Sequence, residues 1–472
     1  MAERTREGIS TSSLSKHPTL SVRELFSLSL PLILSMLSLA TLGLIVRVCL
    51  SRHSVESWQA YSLAYPVCVS FQMICMMITN IVQVFVSHFL GVKKNHLIGP
   101  YVWQAIWFSF LSMGFTYPLS FFAESYFLGS GVKAQALQYF RALSLVNFLY
   151  PLATSLASFF VGRGKTKIIF VAHLGNHILH ALLAYGFIFG IPPLLPQLGM
   201  TGAIVATIIS QSLLCLVLFT FFLRKENQDR YQTHQWQLRG PDLWNICTKG
   251  APQAFAKMMI YSSWLLSSHL MIERGEDLML SFFSSLFPLL TPINEAVGQT
   301  LITIISYWLS VNGTISLKKI LRSSFILLAS ISTLLAIFLL FYQDVTIGIF
   351  HAQPKSSSLS DPISYAKLKE CCWYLWVVYL LNGVNKIGSS FIIATKDTIF
   401  YALISCLPWL TLYVPAVIFI RWLHCFPSAF FIIDGITTLL LGTICIPRFQ
   451  WKRARPLPSR CVLASVPAEE VV

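Results

Sequence analysis

FFVGRGKTKIIFVAHLGNHILHALLAYGFIFGIPPLLPQLGMTGAIVAT, residues 159–207, is the stretch on which the reading of this chain turns. An apolar run ends in a basic turn, Gly162 to Lys167. A second apolar run, Ile168 to Gly190, carries three histidines. A Pro/Gly turn leads into a third run, opened by Gly199 and Gly202. Far downstream, Phe391 to Ile399 (FIIATKDTI) repeats the device in shorter form: apolar run, Lys-Thr turn, apolar run. The echo suggests one helical unit used twice.

Composition agrees. Hydrophobic residues make up 55% of the 472 residues and charged residues 11%, against about 25% charged in soluble domains. Mean hydropathy is +0.66. Apolar runs of about 20 residues read as membrane-spanning helices, because hydrocarbon offers the backbone no partners outside a helix or closed barrel. The alternation of barrel strands is absent. Twelve runs are expected, near 26–50, 57–91, 99–123, 137–161, 168–190, 199–223, 250–272, 278–310, 320–343, 372–394, 398–420 and 424–446. The second and eighth exceed one bilayer thickness, so tilt or projection is expected there. Residues before the first run lack the apolar core and cleavage site of a signal peptide and read as a flexible tail.

The net charge of +15 would suggest nucleic acid on a soluble protein. Here topology explains it, and no nucleic-acid partner is expected. Lys and Arg gather on the cytoplasmic side of membrane proteins. With both termini inside, that side holds Lys93-Lys94, Arg163, Lys165, Lys167, the Arg224 to Lys249 stretch, Lys318, Lys319, Arg322 and both basic tails. The opposite side holds less than half as many. An even helix number follows, in a multi-pass protein of the plasma (inner) membrane. The eleven cysteines are scattered, without metal or disulfide spacing.

Matched landmarks support the repeat. Pro31 in the first run pairs with Pro252 in the seventh; SHFLGVKK from Ser87 pairs with SYWLSVNG from Ser306; Thr166 pairs with Thr398. The expected division is a tail at 1–24, a six-helix bundle at 25–223, a cytoplasmic linker at 224–249, a second bundle at 250–446 and a basic tail at 447–472. The expected fold is an all-α membrane protein of twelve transmembrane helices, its two six-helix bundles related by a pseudo-two-fold axis along the membrane normal. Parallel repeats of this kind are a transporter design with substrate held between the halves.

In order and spacing, Pro31, FLGVKKNH, LQYFRALSLVNFLYPLATSLASFFVGRGKTK, NHILHALLAYGFIFG, LGMTGAIVAT, GAPQAF and ATKDT resemble the multidrug and toxin extrusion (MATE) transporters over roughly residues 20–445. The resemblance implies two bundles around a central cavity and export of organic, often cationic, compounds in exchange for protons or sodium ions. The chain departs from that pattern at acidic positions. They fall at Val46 in helix 1, Ile260 in helix 7 and Asn382 in helix 10. The polar pair of helix 5 falls at His180 and Ala184.

An ionisable side chain inside a membrane helix is a functional candidate by default. Glu295 reads as the single acid deep within a run, with Lys257 and Lys386 as matching cations. The three could form a proton relay, a counter-charge for substrate, or a neutralised pair that fixes packing. His173, His177 and His180 share one helix face with Asn176 beside them. They could pass protons, line a hydrated cavity or bond across helices; a metal site is disfavoured without an acid or Cys. Arg47 reads as a snorkelling anchor, with gating as the other reading. GRGKT at 162–166 fails as a phosphate loop, since Phe159 stands where a glycine is needed, which argues against ATP hydrolysis. No cofactor is expected beyond a coupling proton or sodium ion, and a monomer suffices. Two alternatives stand beside the exporter: a flippase for a lipid-linked or anionic precursor, and a lipid-acting membrane enzyme. The second would need clustered catalytic acids that the runs do not supply, so no enzyme is expected.

Overall fold

The computed structural model describes residues 14–122 except 16, together with 133–190, 196–273, 277–312, 316–350, 362–422 and 429–454. Within them the chain forms twelve long helical segments, beside short ones at Asn95–Leu97, Lys225–Tyr231 and Gln343–Phe350. The first six are α1 (Val22–His53), α2 (Val55–Gly91), α3 (Ile98–Phe122), α4 (Lys133–Leu145 and Leu149–Gly162), α5 (Thr166–Phe189) and α6 (Met200–Phe222). The last six are α7 (Gly240–Glu273), α8 (Asp277–Asn312), α9 (Leu317–Ala336), α10 (Pro362–Ala394), α11 (Thr398–Phe419) and α12 (Ala429–Ala454). Eight are apolar and long enough to cross a membrane, and α4, bent by 44° between its pieces, makes a ninth. The other three (α3, α7 and α8) have the length but carry more polar and aromatic residues; α7 alone holds Lys257, Ser262, Ser263, Ser267 and Ser268.

Local sequence explains the interruptions. Pro151, in the first turn of the second piece of α4, has no N–H to continue the ladder. In α2 the break falls at Ile81, just after Thr79, whose hydroxyl bonds back to the Met76 carbonyl at 3.1 Å, a contact that bends helices. π-Helical turns occupy Ile337–Phe341, Trp409–Tyr413 and Val417–Trp422.

The packing repeats itself. In the first half α1 packs on α5, α2 and α3 on α4, and α4 and α5 on α6. In the second, α7 packs on α11, α8 and α9 on α10, and α10 and α11 on α12. Contacts across the halves also come in matched sets: α1 on α8 with α7 on α2, α1 on α9 with α7 on α3, and α2 on α8, which maps onto itself. Adding six to each helix number carries every one of these contacts into another, the mark of a two-fold axis between like-oriented bundles.

Two stretches differ from expectation. The tail read as flexible up to about residue 24 is packed from Leu14 onward: Leu14 and Leu20 are buried, and the Ser323 hydroxyl of α9 donates to the Leu20 carbonyl at 2.8 Å. Helix α7 begins at Gly240, inside the 224–249 stretch read as linker. What precedes it is a short helix, Lys225–Tyr231, and a strap laid against α3. The Trp103 and Trp107 indoles donate to the Thr233 and Trp236 carbonyls, and Gln104 bonds Gln237 and Arg239. Backbone polar groups of the strap thus find partners on a helix surface, which removes the need for water there.

Burial divides the molecule along its axis. One core cluster spans both halves at the terminus-bearing end, the end where the first and last described residues lie. It runs from Leu20 and Leu25 through Val86, Phe160, Phe222, Ile305 and Ala394 to Phe449. At the opposite end each half has its own core, one around Leu50, Tyr61 and Phe140, the other around Met271, Phe283 and Phe431. Among the described residues no core cluster joins those two, so the large core shared by the halves lies at one end; a small cluster of Cys75, Ile78, Phe108 and Ala254 also bridges them.

Candidate functional site

Glu295, Lys257, Lys386 and the α5 histidines lie at the depth where the shared core gives way to the separate ones. Glu295 follows Ile293 and precedes Ala296, both in the shared core, while Leu286, nine residues earlier, belongs to the separate core of the second half. Lys257 and Lys386 each neighbour a shared-core residue, Ala256 and Ile387. In the first half, the histidine row lies between Ile169 of the shared core and Ala184 of the separate one.

Three helices converge on one carboxylate oxygen. The Lys257 Nζ of α7 donates to Glu295 Oε1 at 2.7 Å, and the Lys386 Nζ of α10 donates to the same oxygen. The Lys257 and Glu295 side chains are each 37% exposed and Lys386 is 14% exposed, so the cluster opens to one side. With both lysines charged it carries one net positive charge. Asn382 lies one turn before Lys386 on the same face. It accepts from Asn294 Nδ2 at 3.3 Å, and Asn294 also donates to the Tyr379 carbonyl at 3.0 Å. Ser390, one turn beyond Lys386, donates to the Gly298 carbonyl at 3.1 Å. These bonds tie α10 to α8 and fix the height at which Lys386 meets Glu295.

The histidine row is also partnered across helices. Ser35 Oγ lies 2.9 Å from His173 Nδ1 and Ser38 Oγ 2.7 Å from His177 Nδ1, zipping α5 to α1. Thr207 Oγ1 of α6 lies 3.4 Å from His180 Nε2. His177, His180 and Asn176 are buried, and the Asn176 side-chain oxygen has no hydrogen-bond partner. No group of three His, Cys, Asp or Glu among the described residues is placed to hold a metal ion. Arg47 is exposed on α1, away from the Glu295 cluster and within the first half.

Sequence reading named Glu295 as the single deep acid. The structure corrects this: Asp434 of α12 is only 9% exposed. The signal was present in FIIDGITTLL, an acid within the last apolar run.

Residues 31–186 match the MatE family. The chain is 22% identical to a probable multidrug resistance protein NorM of Mannheimia succiniciproducens over 291 residues, 59% of this chain and 62% of that protein. The matched stretch therefore spans less than two thirds of the curated relative. Among solved structures, a MOP superfamily transporter from Pyrococcus furiosus, described as having a binding pocket of reversed polarity, superimposes with a TM-score of 0.78 at 15% identity, covering 96% of this chain and 99% of that one. An outward-facing multidrug resistance MATE transporter gives 0.77 at 14% identity with the same coverage. These likenesses give the fold: twelve helices in two lobes.

Proposed function

We propose that this chain, whose residues 31–186 match the MatE family, carries out secondary active transport: export of small organic compounds by alternating access, driven by a proton or sodium gradient. The observation that carries the reading is the axial division of the core. Two like bundles share one large apolar core at one end and keep separate cores at the other, and polar side chains gather at the junction. That is the arrangement of a carrier caught with one gate shut, its binding site at mid-membrane between two repeats. Rocking one bundle on the other would exchange which end is closed. The basic residues of the terminus-bearing end favour the cytoplasmic side for it; on that reading this form opens outward, in the direction of release. The path lies within one chain, so a monomer suffices, and the membrane lipid is its surround. The names of the relatives favour the exporter over the flippase. Catalytic chemistry on the cargo has no place in this cycle.

The test is uptake of ethidium into liposomes holding the purified protein, with a proton or a sodium gradient imposed. Accumulation driven by either gradient supports the reading. Ethidium and a panel of other organic cations and anions that all equilibrate passively under both gradients would refute it.

A further inference from the structure

Glu295 is a poor candidate for a carboxylate that binds and releases a coupling ion, because two ammonium groups already hold it. Asp434 differs in each respect. It lies on the inward face of α12: Phe430, Phe431, Gly435, Thr437 and Leu441 around it are buried, whereas Ile432, Ile436 and Leu440 face outward. It stands level with the middle of α10, since a Cβ added at the adjacent Gly435 would meet Leu381 at 2.9 Å and Val378 at 4.0 Å. Its axial position, between Phe431 of the separate core and Leu441 of the shared one, matches that of Glu295 and the histidine row.

No hydrogen bond or ion pair reaches its carboxyl among the described residues. The titratable groups on the elements packed against α12 include Lys369, Glu370, Cys371, Cys372, Tyr374, Tyr379 and Lys386 of α10, Lys257, Tyr261 and His269 of α7, and Tyr401, Cys406 and Tyr413 of α11. None pairs with it. Lys257 and Lys386 are engaged by Glu295. Thr437, on the same face one turn along, has an unpartnered hydroxyl, and Tyr379 has an unpartnered phenol. An uncompensated carboxylate at this depth is disfavoured, so the group carries a proton or a bound cation. A sodium ion needs a shell of several oxygens, whereas a proton needs only the carboxyl itself, and among the described residues no hydrogen bond holds a second oxygen on this carboxyl.

We infer that Asp434 is the proton-binding site through which the transport cycle is coupled. The carboxylate takes one proton from water in the outward-open cleft to give the acid. The acid returns that proton to water on the other side when the gate reverses, leaving the carboxylate that draws cargo exchange forward. The inference rests on the transporter reading but is testable apart from it. Dicyclohexylcarbodiimide, which attacks protonated carboxyls in apolar surroundings, should label Asp434 in the unmutated, membrane-embedded protein and leave Glu295 unlabelled, with labelling falling as pH rises. In ethidium-loaded liposomes Asp434→Asn should lose at least tenfold of pH-driven movement while still allowing ethidium to run down its own gradient. Asp434→Glu should restore coupling with a displaced pH profile. Absence of label at Asp434, protection of it by sodium at constant pH, or an unchanged pH profile in Asp434→Asn would overturn the assignment. Unmutated protein that labels at Asp434 with the expected pH dependence but moves no cargo would instead overturn the transporter reading and leave the proton site standing.

Discussion

Single residues were legible to different degrees. Glu295, Lys257 and Lys386 were visible as charges in apolar runs, but which helices would bring them together was not, because that depends on contacts between segments some 38 and 91 residues apart. The shared oxygen makes their energetics unequal. Removing Lys257 leaves Glu295 with Lys386, whereas removing Glu295 leaves two ammonium groups facing each other. Lys257→Met should therefore destabilise the fold less than Glu295→Gln. A fully buried pair broken on one side costs about 3–5 kcal/mol. With Lys257 and Glu295 each 37% exposed, water screens part of this, and about 1–3 kcal/mol is expected for Glu295→Gln. Thermal unfolding in detergent checks the order, and the Lys257→Met/Glu295→Gln double variant checks the coupling: it should be more stable than Glu295→Gln alone. Asp434 and the serine partners of the histidines escaped the sequence for a shared reason. Whether a polar side chain is partnered is a property of the neighbouring helix, which no periodicity reports.

Elements were the most legible scale, because twelve apolar runs separated by polar turns leave little choice of helix. Their ends and breaks were less so: the start of α7 at Gly240, the bend in α4 and the packed segment before α1 depend on tertiary partners. How closely two helices approach was also hidden, although glycines hinted at it. A Cβ added at Gly442 of α12 would lie 2.6 Å from Asn385 Cα and 2.9 Å from its nitrogen, both backbone atoms of α10. No rotamer relieves that contact, so the helices themselves must part. Gly442→Val should cost at least the 1–3 kcal/mol or so of ordinary overpacking, read as a lowered melting temperature. Gly175→Ala is the control. Nothing lies within 4 Å of its would-be Cβ in mid-α5, and the change should be neutral or stabilise by up to about 1 kcal/mol through helix propensity.

At the scale of the whole molecule, the repeat could be read from landmarks, but which end holds the shared core could not, since that depends on contacts between the halves. The shut end holds a group whose protonation should bias it. Lys396, in the turn between α10 and α11, lies 4.2 Å from the Phe85 ring centre across the halves. Burial, and after it the charge of Lys249, pushes its ammonium down to about 8 from 10.5. Closure then disfavours the charged form, so below about pH 8 this penalty is constant. It is relieved as pH rises from about 8 towards 10.5, where the buried amine is neutral and a solvated one is still charged. Hydrogen exchange in the α10–α11 turn should slow, beyond its intrinsic pH dependence, over that window, and Lys396→Met should remove the effect.

If opening of this end is an obligatory step, tying it shut must stop transport without harming the fold. Gly91 at the end of α2 and Ser310 near the end of α8 provide the tie. A Cβ built at Gly91 lies 3.1 Å from Ser310 Cβ, slightly inside the separation a disulfide takes, about 3.5–4.5 Å, and small enough a difference for two helix ends to absorb. The flanking contacts already cross the same seam: Gln83 Nε2 donates to the Gln299 carbonyl at 2.6 Å and to Thr303 Oγ1 at 2.7 Å. The nine cysteines among the described residues are free, so the introduced pair needs a background in which they do not compete. A Cβ at Gly91 also lies 2.7 Å from the Tyr307 carbonyl oxygen, so the reduced Gly91→Cys/Ser310→Cys pair should melt lower than the parent; oxidation should recover part of that loss and abolish gradient-driven uptake until a reductant restores it. Uptake that continues with the bond shown intact would mean that the halves need not part here, and the rocking cycle drawn from the divided core would have to be abandoned.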